Sequence, residues 1–344
     1  MMKNSILKFA AVAAIATAAV SCTEIDTLPD GRVSFDEIWT QDRFVLGYLH
    51  DAYSPLLSVR YGQGYGYTIA NLGGVSFLDA ATDNAHDVDD VNGGPMYMWN
   101  NGMVSAASTP LTRLDIWSSF YRGIAHCNIL IANIPTARIF VEEDREFWMA
   151  ESHGLRALYY LMLLKNYGGV PLVLDTRIDE NGNEVPDMVD DSDYDYSHAR
   201  RASVAEVARQ ILKDCQFVLD SEYPGWRTED DGSLGRINKA VACAVMSEAA
   251  LFAASPLNYD ANDPAAIDWA EAATITKKAL DDCLAHGYGI FTDKPTSSGN
   301  ADELAATAYD HMFLQNPNAL GTTDKEMIMV RTQAYVWMYN TAPI

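Results

Sequence analysis

The chain has 344 residues, 49% of them hydrophobic, with 24 Lys and Arg against 47 Asp and Glu, a formal charge of −23. That length and apolarity bury a sizeable core and allow one large helical domain or two smaller ones. A surface so acidic repels phosphate backbones and anionic headgroups, which excludes nucleic acid, requires membrane attachment to be covalent, and suits a neutral ligand or a cation.

At the amino terminus, Lys3 and Lys8 accompany an apolar run from Phe9 to Val20 that is too short to span a bilayer, so residues 1–21 read as a signal peptide. Losing those two lysines deepens the charge from −23 to −25. Ala19-Val20-Ser21-Cys22 reads as a lipobox that makes Cys22 the lipidated first residue; ordinary cleavage after Ala16-Thr17-Ala18 is the alternative. Several acyl chains hold a protein where one alone is marginal. Residues 22–33, polar and carrying Pro29-Asp30-Gly31, form a tether, and the folded body spans residues 34–344.

Ser34 caps a short helix through Trp39, with Glu37 as its capping-box partner. A longer helix covers about residues 41–58, placing Phe44, Leu46, Leu49, Tyr53 and Leu57 near one side. The stretch from Arg60 to Thr112 is glycine-rich and irregular, and a connection that long inside a compact body is usually functional. Its Gly62-x-Gly64-x-Gly66 is a spacing accident, not a nucleotide fingerprint. The spacing of Trp117, Tyr121, Ile124 and Asn128 then predicts a helix over residues 111–134 with one packing face, ended by Pro135.

The best-defined segment is Ala150–Leu174. Leu155, Leu158, Tyr159, Met162 and Leu163 recur at helical spacing, with Glu151, Arg156 and Lys165 as a polar edge. Gly168-Gly169 supply the left-handed backbone of a helix stop, and Val170-Pro171 forces extension into a short β-like segment, Pro171–Leu174. Beyond it, Asn181-Gly182 marks a turn and the acids of residues 187–196 a solvent loop. Ser203, with Glu206, caps a helix over residues 204–219; residues 237–254 form an alanine-rich helix suited to close packing. Pro264 opens a helix through His286, with Trp269, Ala273, Thr276 and Leu280 along one side. From His126 to His286 the helices alternate in pairs, which predicts a mainly all-α, tetratricopeptide-like right-handed solenoid with long irregular loops and a few short strands.

Chemistry-bearing motifs are few. The cysteines at 127, 215, 243 and 283 fall in helices at no metal-like spacing and read as small buried hydrophobes; an exported protein permits a disulfide, and the spacings assign none. Asp191-x-Asp193-x-Asp195 alternates like a calcium loop, but Tyr196 replaces the required glycine and Ala202 stands where the bidentate acid belongs. His153, on the central helix, reads as structural. No pair among Asp79, Asp83, Asp87, Asp89 and Asp90 is singled out as a glycosidase couple, and no hydrolase, metalloprotease or phosphate-loop motif appears. The chain therefore reads as a non-enzyme with no cofactor and no metal.

Two strings carry a resemblance. The central E-x3-L-R-A-x-Y-Y-x-x-L-x-x-x-Y-G-G-V-P-L, from Glu151 to Leu172, and Trp117-x3-Tyr121-x-Gly123-Ile124-x3-Asn128 resemble signatures of the SusD/RagB family of surface nutrient-binding lipoproteins. Leu78–Ala85, Tyr97–Met103 and a strand over residues 324–331 resemble further family segments. The resemblance implies a lipoprotein of the outer membrane, exposed at the cell surface, with Glu24 and Asp26 as its export signals. It further implies capture of glycan or a related nutrient for a SusC-like TonB-dependent β-barrel transporter. Family members are considerably longer, so the resemblance implies a missing C-terminal lobe. Sugars need flat aromatic faces and amides, which points to Tyr97, Trp99 and Asn101 on the glycine-rich stretch and to Tyr335, Trp337 and Tyr339 near the end, with Tyr65 and Tyr67 as weaker candidates. The alternative is that Trp99 and Trp337 plug the solenoid edge. The rival functions are a helical scaffold for a protein or peptide and, behind it, a glycoside hydrolase.

Overall fold

The structure, a computed structural model, describes residues 33–57, 67–68, 71–72, 82–83, 101–103, 105, 116–174, 176–178, 184–186, 200–226, 235–290 and 325–329. The chain divides into two compact units, Met1–Ile38 and Trp39–Ile344. In the first, helix α1 (Phe35–Ile38) starts as the sequence indicates: Ser34 N donates to Glu37 Oε2 at 2.8 Å and Glu37 N to Ser34 Oγ at 3.4 Å.

The second unit carries the remaining described helices: α2 (Asp42–Leu57), α3 (Trp117–Asn133), α4 (Glu142–Tyr167), α5 (Val204–Asp220), α6 (Lys239–Ala254) and α7 (Trp269–Ala285). Two small antiparallel ladders join them, β1 (Tyr67–Thr68) with β2 (Asn71–Leu72) and β3 (Thr176–Ile178) with β4 (Glu184–Pro186); the expected turn at Asn181-Gly182 lies outside the described residues. Each helix packs on the next in sequence, and α4 also touches α2 and α6, which is how stacked antiparallel pairs meet. The fold is all-α and tetratricopeptide-like.

Local chemistry explains the helix ends. Ser203 and Glu206 close a full capping box on α5, and Arg200 clasps Glu206 at 2.6 and 3.0 Å. Asn238 accepts from Val241 N at the start of α6, and Asp268 from Glu271 N at the start of α7. The acids Glu142, Glu143 and Asp144 suit the positive end of α4, which starts well before Ala150. On α6 the buried Ala240, Ala242, Ala249, Ala250 and Ala253 bring the backbone close to its neighbours.

Several sequence expectations are corrected. The polar edge of α4 is not on the surface: Glu151 is 0% and Arg156 6% exposed, and of the three residues only Lys165 reaches solvent. Burying those charges is tolerable because each is paired and hydrogen-bonded. Arg156 forks onto Asp214 of α5 at 2.7 and 2.9 Å and donates to Asn128 Oδ1 of α3 at 2.9 Å. Glu151 accepts from the Tyr53 hydroxyl of α2 at 2.5 Å and from both nitrogens of the Arg236 fork, just ahead of α6. Tyr53 in turn accepts from Ile237 N at 2.9 Å, and Arg236 lies over the Phe147 ring. His153 is structural as expected, stacked on Phe217 and bonded to Asp214 at 2.7 Å.

The helix expected over residues 111–134 has Ile116 as its N-cap. The last described helix begins at Trp269 because Asp268, rather than Pro264, supplies the cap. Its core face is Ala272, Ile275 and Ala279, whereas Trp269 and Leu280 are 53% and 56% exposed, so the expected stripe is the outer side. Residues 325–329 follow bends rather than a strand: Lys325 O accepts from Gly289 N and Ile328 O from the Asn238 side chain, leaving no strand ladder at those carbonyls. The acid loop at residues 187–196 lies outside the described residues.

The glycine stop works differently from two left-handed residues. Gly168 has φ 71° and ψ −142°, a region that side chains other than hydrogen essentially never occupy. Gly169 has no positive φ; it is required because a Cβ there would run into the backbone carbonyl of Ala202, whose N–H is bonded to Val170 O. Either Gly→Ala change therefore destabilises the chain by roughly 1–3 kcal/mol. Urea unfolding of Gly168→Ala and Gly169→Ala checks this, and unchanged midpoints contradict it.

The Asp214 cluster also sets acid sensitivity. Burial alone raises the Asp214 carboxyl, but the Arg156 charge and the hydrogen bonds from His153 and Arg156 outweigh it and hold it at about 2. Because the folded value lies below the unfolded one, this contribution, about 2 kcal/mol, is complete above pH ~4 and lost as pH falls through ~2. His153 is held below its ordinary value, chiefly by burial. The unfolded chain protonates this ring near pH ~6.5 and the fold resists, so stability also declines as pH drops below that point. Urea midpoints are expected to fall from pH 8 to 5.5 and again toward pH 3, with the lower limb flattened in Asp214→Asn; a flat wild-type profile contradicts the assignment.

Candidate functional site

The same network that fixes α4 builds a recess beside it. Where α4 ends, residues Val170–Leu174 run without regular structure along α3, and side chains replace the hydrogen bonds that a neighbouring strand would give. The Tyr121 hydroxyl donates to Pro171 O at 2.7 Å, and Asn128 Nδ2 donates to Val173 O at 3.0 Å. The Tyr160 hydroxyl donates to Val173 O at 2.9 Å and accepts from Val173 N at 2.8 Å. Asn128 thus holds Arg156 with its oxygen and the exit segment with its nitrogen. Burial pushes the Tyr121 phenol well up, opposed by the Arg201 charge, so it stays a neutral donor at every physiological pH.

Against this fixed segment, α2 and α3 leave a cavity of about 650 Å³. Its walls include Tyr48 of α2 with Trp117, Tyr121 and His126 of α3; Ser118 and Arg122 stand exposed at the same face, and Pro171 forms part of the floor. Trp117 and Tyr121, one turn apart, have ring centroids 4.9 Å apart at 45°. Tyr167 meets Trp117 edge-on at 5.2 Å and accepts from Ile116 N at 3.2 Å, which fixes the first turn of α3. Tyr48 stacks on His126 at 4.8 Å. Flat rings with hydroxyl, guanidinium and imidazole groups among them suit a ligand that has an apolar face and a polar rim. No carboxylate lines the cavity among the described residues.

The sequence-predicted residues fall elsewhere. Asn101 is exposed in a turn with Gly102 at φ 65° and does not line the cavity. Tyr97, Trp99, Tyr335, Trp337, Tyr339 and the lipidation residue Cys22 lie outside the described residues. Sequence reasoning read Trp117 and Tyr121 as a packing face only; the overlooked signal was that Ser118 and Arg122, each beside one of those aromatics, put polar groups on the same helix surface. Among the described residues no group of His, Cys, Asp and Glu could hold a metal ion, and no helix is long and apolar enough to cross a membrane.

Residues 76–220, which contain the cavity-forming α3, α4 and the exit segment, match the SusD-like family model described as starch-binding and associating with the outer membrane. Among solved structures, a SusD-like protein from Bacteroides fragilis is similar at TM-score 0.58 and 20% identity, over 88% of this chain and 47% of that one. A laminarin-binding SusD-like protein gives 0.53 and 18%, over 84% and 51%. Surface glycan-binding protein A from Bacteroides fluxus gives 0.50 and 17%, over 84% and 50%. The chain spans about half the length of these structures. No curated protein sequence matches it.

Proposed function

Taking the chain as SusD-like in sequence over residues 76–220 and in fold, we propose that it is a cell-surface lipoprotein, anchored through Cys22, that binds oligosaccharide and delivers it unaltered to a TonB-dependent β-barrel transporter. The observation that carries the reading is the cavity walled by Trp117, Tyr121 and Tyr48, the first two of which belong to the string that resembles the SusD/RagB signature. A sugar ring offers its C–H face to such aromatic surfaces and its hydroxyls to Arg122 and Ser118. The acidic composition supports a neutral cargo. Delivery requires release, so affinity is modest and reversible.

Within this reading, Tyr97, Trp99, Asn101, Tyr335, Trp337 and Tyr339 are a second set of ligand contacts on the loops. The ligands to test first are starch and laminarin oligosaccharides, named for the matched family and for one similar structure. Calorimetry with the purified chain is expected to give saturable binding to one of them. Trp117→Ala, checked for folding by circular dichroism, and the loop variants Trp99→Ala and Trp337→Ala should each weaken it about tenfold, the equivalent of ~1.4 kcal/mol. Unchanged binding in Trp117→Ala removes the cavity from the site, unchanged binding in both loop variants removes the loop set, and no heat with any oligosaccharide removes the reading.

A further inference from the structure

We propose that Cys243 and Cys283 form a disulfide that staples α6 to α7 when the chain meets a disulfide oxidant such as oxidised glutathione. Nothing in the spacing of the cysteines pairs them, but the fold does. Cys243 lies near the start of α6 and Cys283 in the last turn of α7, the two helices pack directly on each other, and both residues line one cavity of about 590 Å³ between them. Both thiols are unbridged in this structure, and each sulfur shifts the ionisation of the other. Cys127 and Cys215, by contrast, are fully buried on α3 and α5.

The pair is also asymmetric in the way that oxidation by exchange requires. The neighbouring Cys243 thiol lowers Cys283 below its ordinary value against the opposing effect of burial, while Cys283, with burial, raises Cys243. Cys283 is half-buried and faces the open apolar cavity, whose rim residues Leu280, Leu284 and Ile290 are themselves exposed, whereas Cys243 is buried behind it. An accessible thiolate with a second thiol behind it is the arrangement of an attacking and a resolving cysteine.

The Cys283 thiolate, its proton released to solvent, attacks one sulfur of glutathione disulfide; that S–S bond breaks and one glutathione thiolate leaves. The departing thiolate takes the Cys243 proton. The Cys243 thiolate then attacks Cys283 Sγ in the mixed disulfide, forming the protein bridge and expelling the second glutathione thiolate, which takes a proton from solvent. Two protein thiols are oxidised by two electrons, and one glutathione disulfide is reduced to two glutathione molecules. The bridge closes a loop of ~40 residues, long enough to constrain the unfolded chain appreciably.

The test uses the whole chain, reduced, freed of reductant and incubated with oxidised glutathione, then read by intact mass and by a non-reducing peptide map. The expected product has two fewer free thiols, a mass lower by two hydrogen atoms, and one cross-linked peptide pair containing Cys243 and Cys283. Cys243→Ser should stop at a glutathione adduct on Cys283, and Cys283→Ser should leave Cys243 unmodified. The proposal is overturned if the wild-type chain stops at that adduct, bridges either cysteine to a different one, or keeps both thiols free. The wild-type map decides the matter even where a variant does not fold, and its outcome is independent of oligosaccharide binding.

Discussion

A guanidinium and a carboxylate buried on one helix must find partners or unfold it, and α4 carries both. Arg156 takes its partners from α3 and α5, while Glu151 takes its own from α2 and the segment entering α6. An unpaired charge at either position costs several kcal/mol, far more than a misplaced methyl, so these bonds set the register of the neighbouring helices more strictly than apolar packing alone. Leu155, Tyr159, Leu161 and Leu164, all fully or almost fully buried on the same helix, supply the apolar burial that stabilises the stack.

The network does not end in the core. Asn128 joins Arg156 to the carbonyl of Val173, and Tyr160, within α4, holds both backbone groups of that residue. The exit from α4 is therefore as firmly placed as the helix itself, and with it the floor and one wall of the aromatic cavity. A recess built from helix surfaces and a pinned segment can hold its rings in place before a ligand arrives, which lowers the entropy cost of binding a flexible ligand.

Much of this was legible in the sequence because it is local. The capping boxes at Ser34 and Ser203, the packing face from Trp117 to Asn128 and the stop after Tyr167 all depend on residues a few positions apart. What escaped was non-local: Arg156 looks like a solvent-facing residue until Asp214, 58 residues on, is brought against it, and Glu151 until Arg236, 85 residues on, does the same. The α7 stripe of Trp269 and Leu280 was legible as a stripe only, since at the last described helix periodicity gives a face but not which side has a neighbour. Gly169 could be recognised as a stop but not as a contact, because its constraint comes from Ala202, in a distant part of the chain. The cavity walls Trp117 and Tyr121 fall in one of the family strings, yet they were taken for core because a half-buried aromatic has the same spacing in either role.

The central claim is that α4 is held by specific charge pairing rather than by burial that any apolar side chain could provide. A double-mutant cycle on Arg156→Leu and Asp214→Leu, read by urea unfolding at pH 7, tests it most directly. Pairing predicts that each single change costs roughly 3–5 kcal/mol and that the double costs much less than their sum, because neither charge is then left alone. Single costs that simply add, to within about 0.5 kcal/mol, would contradict it.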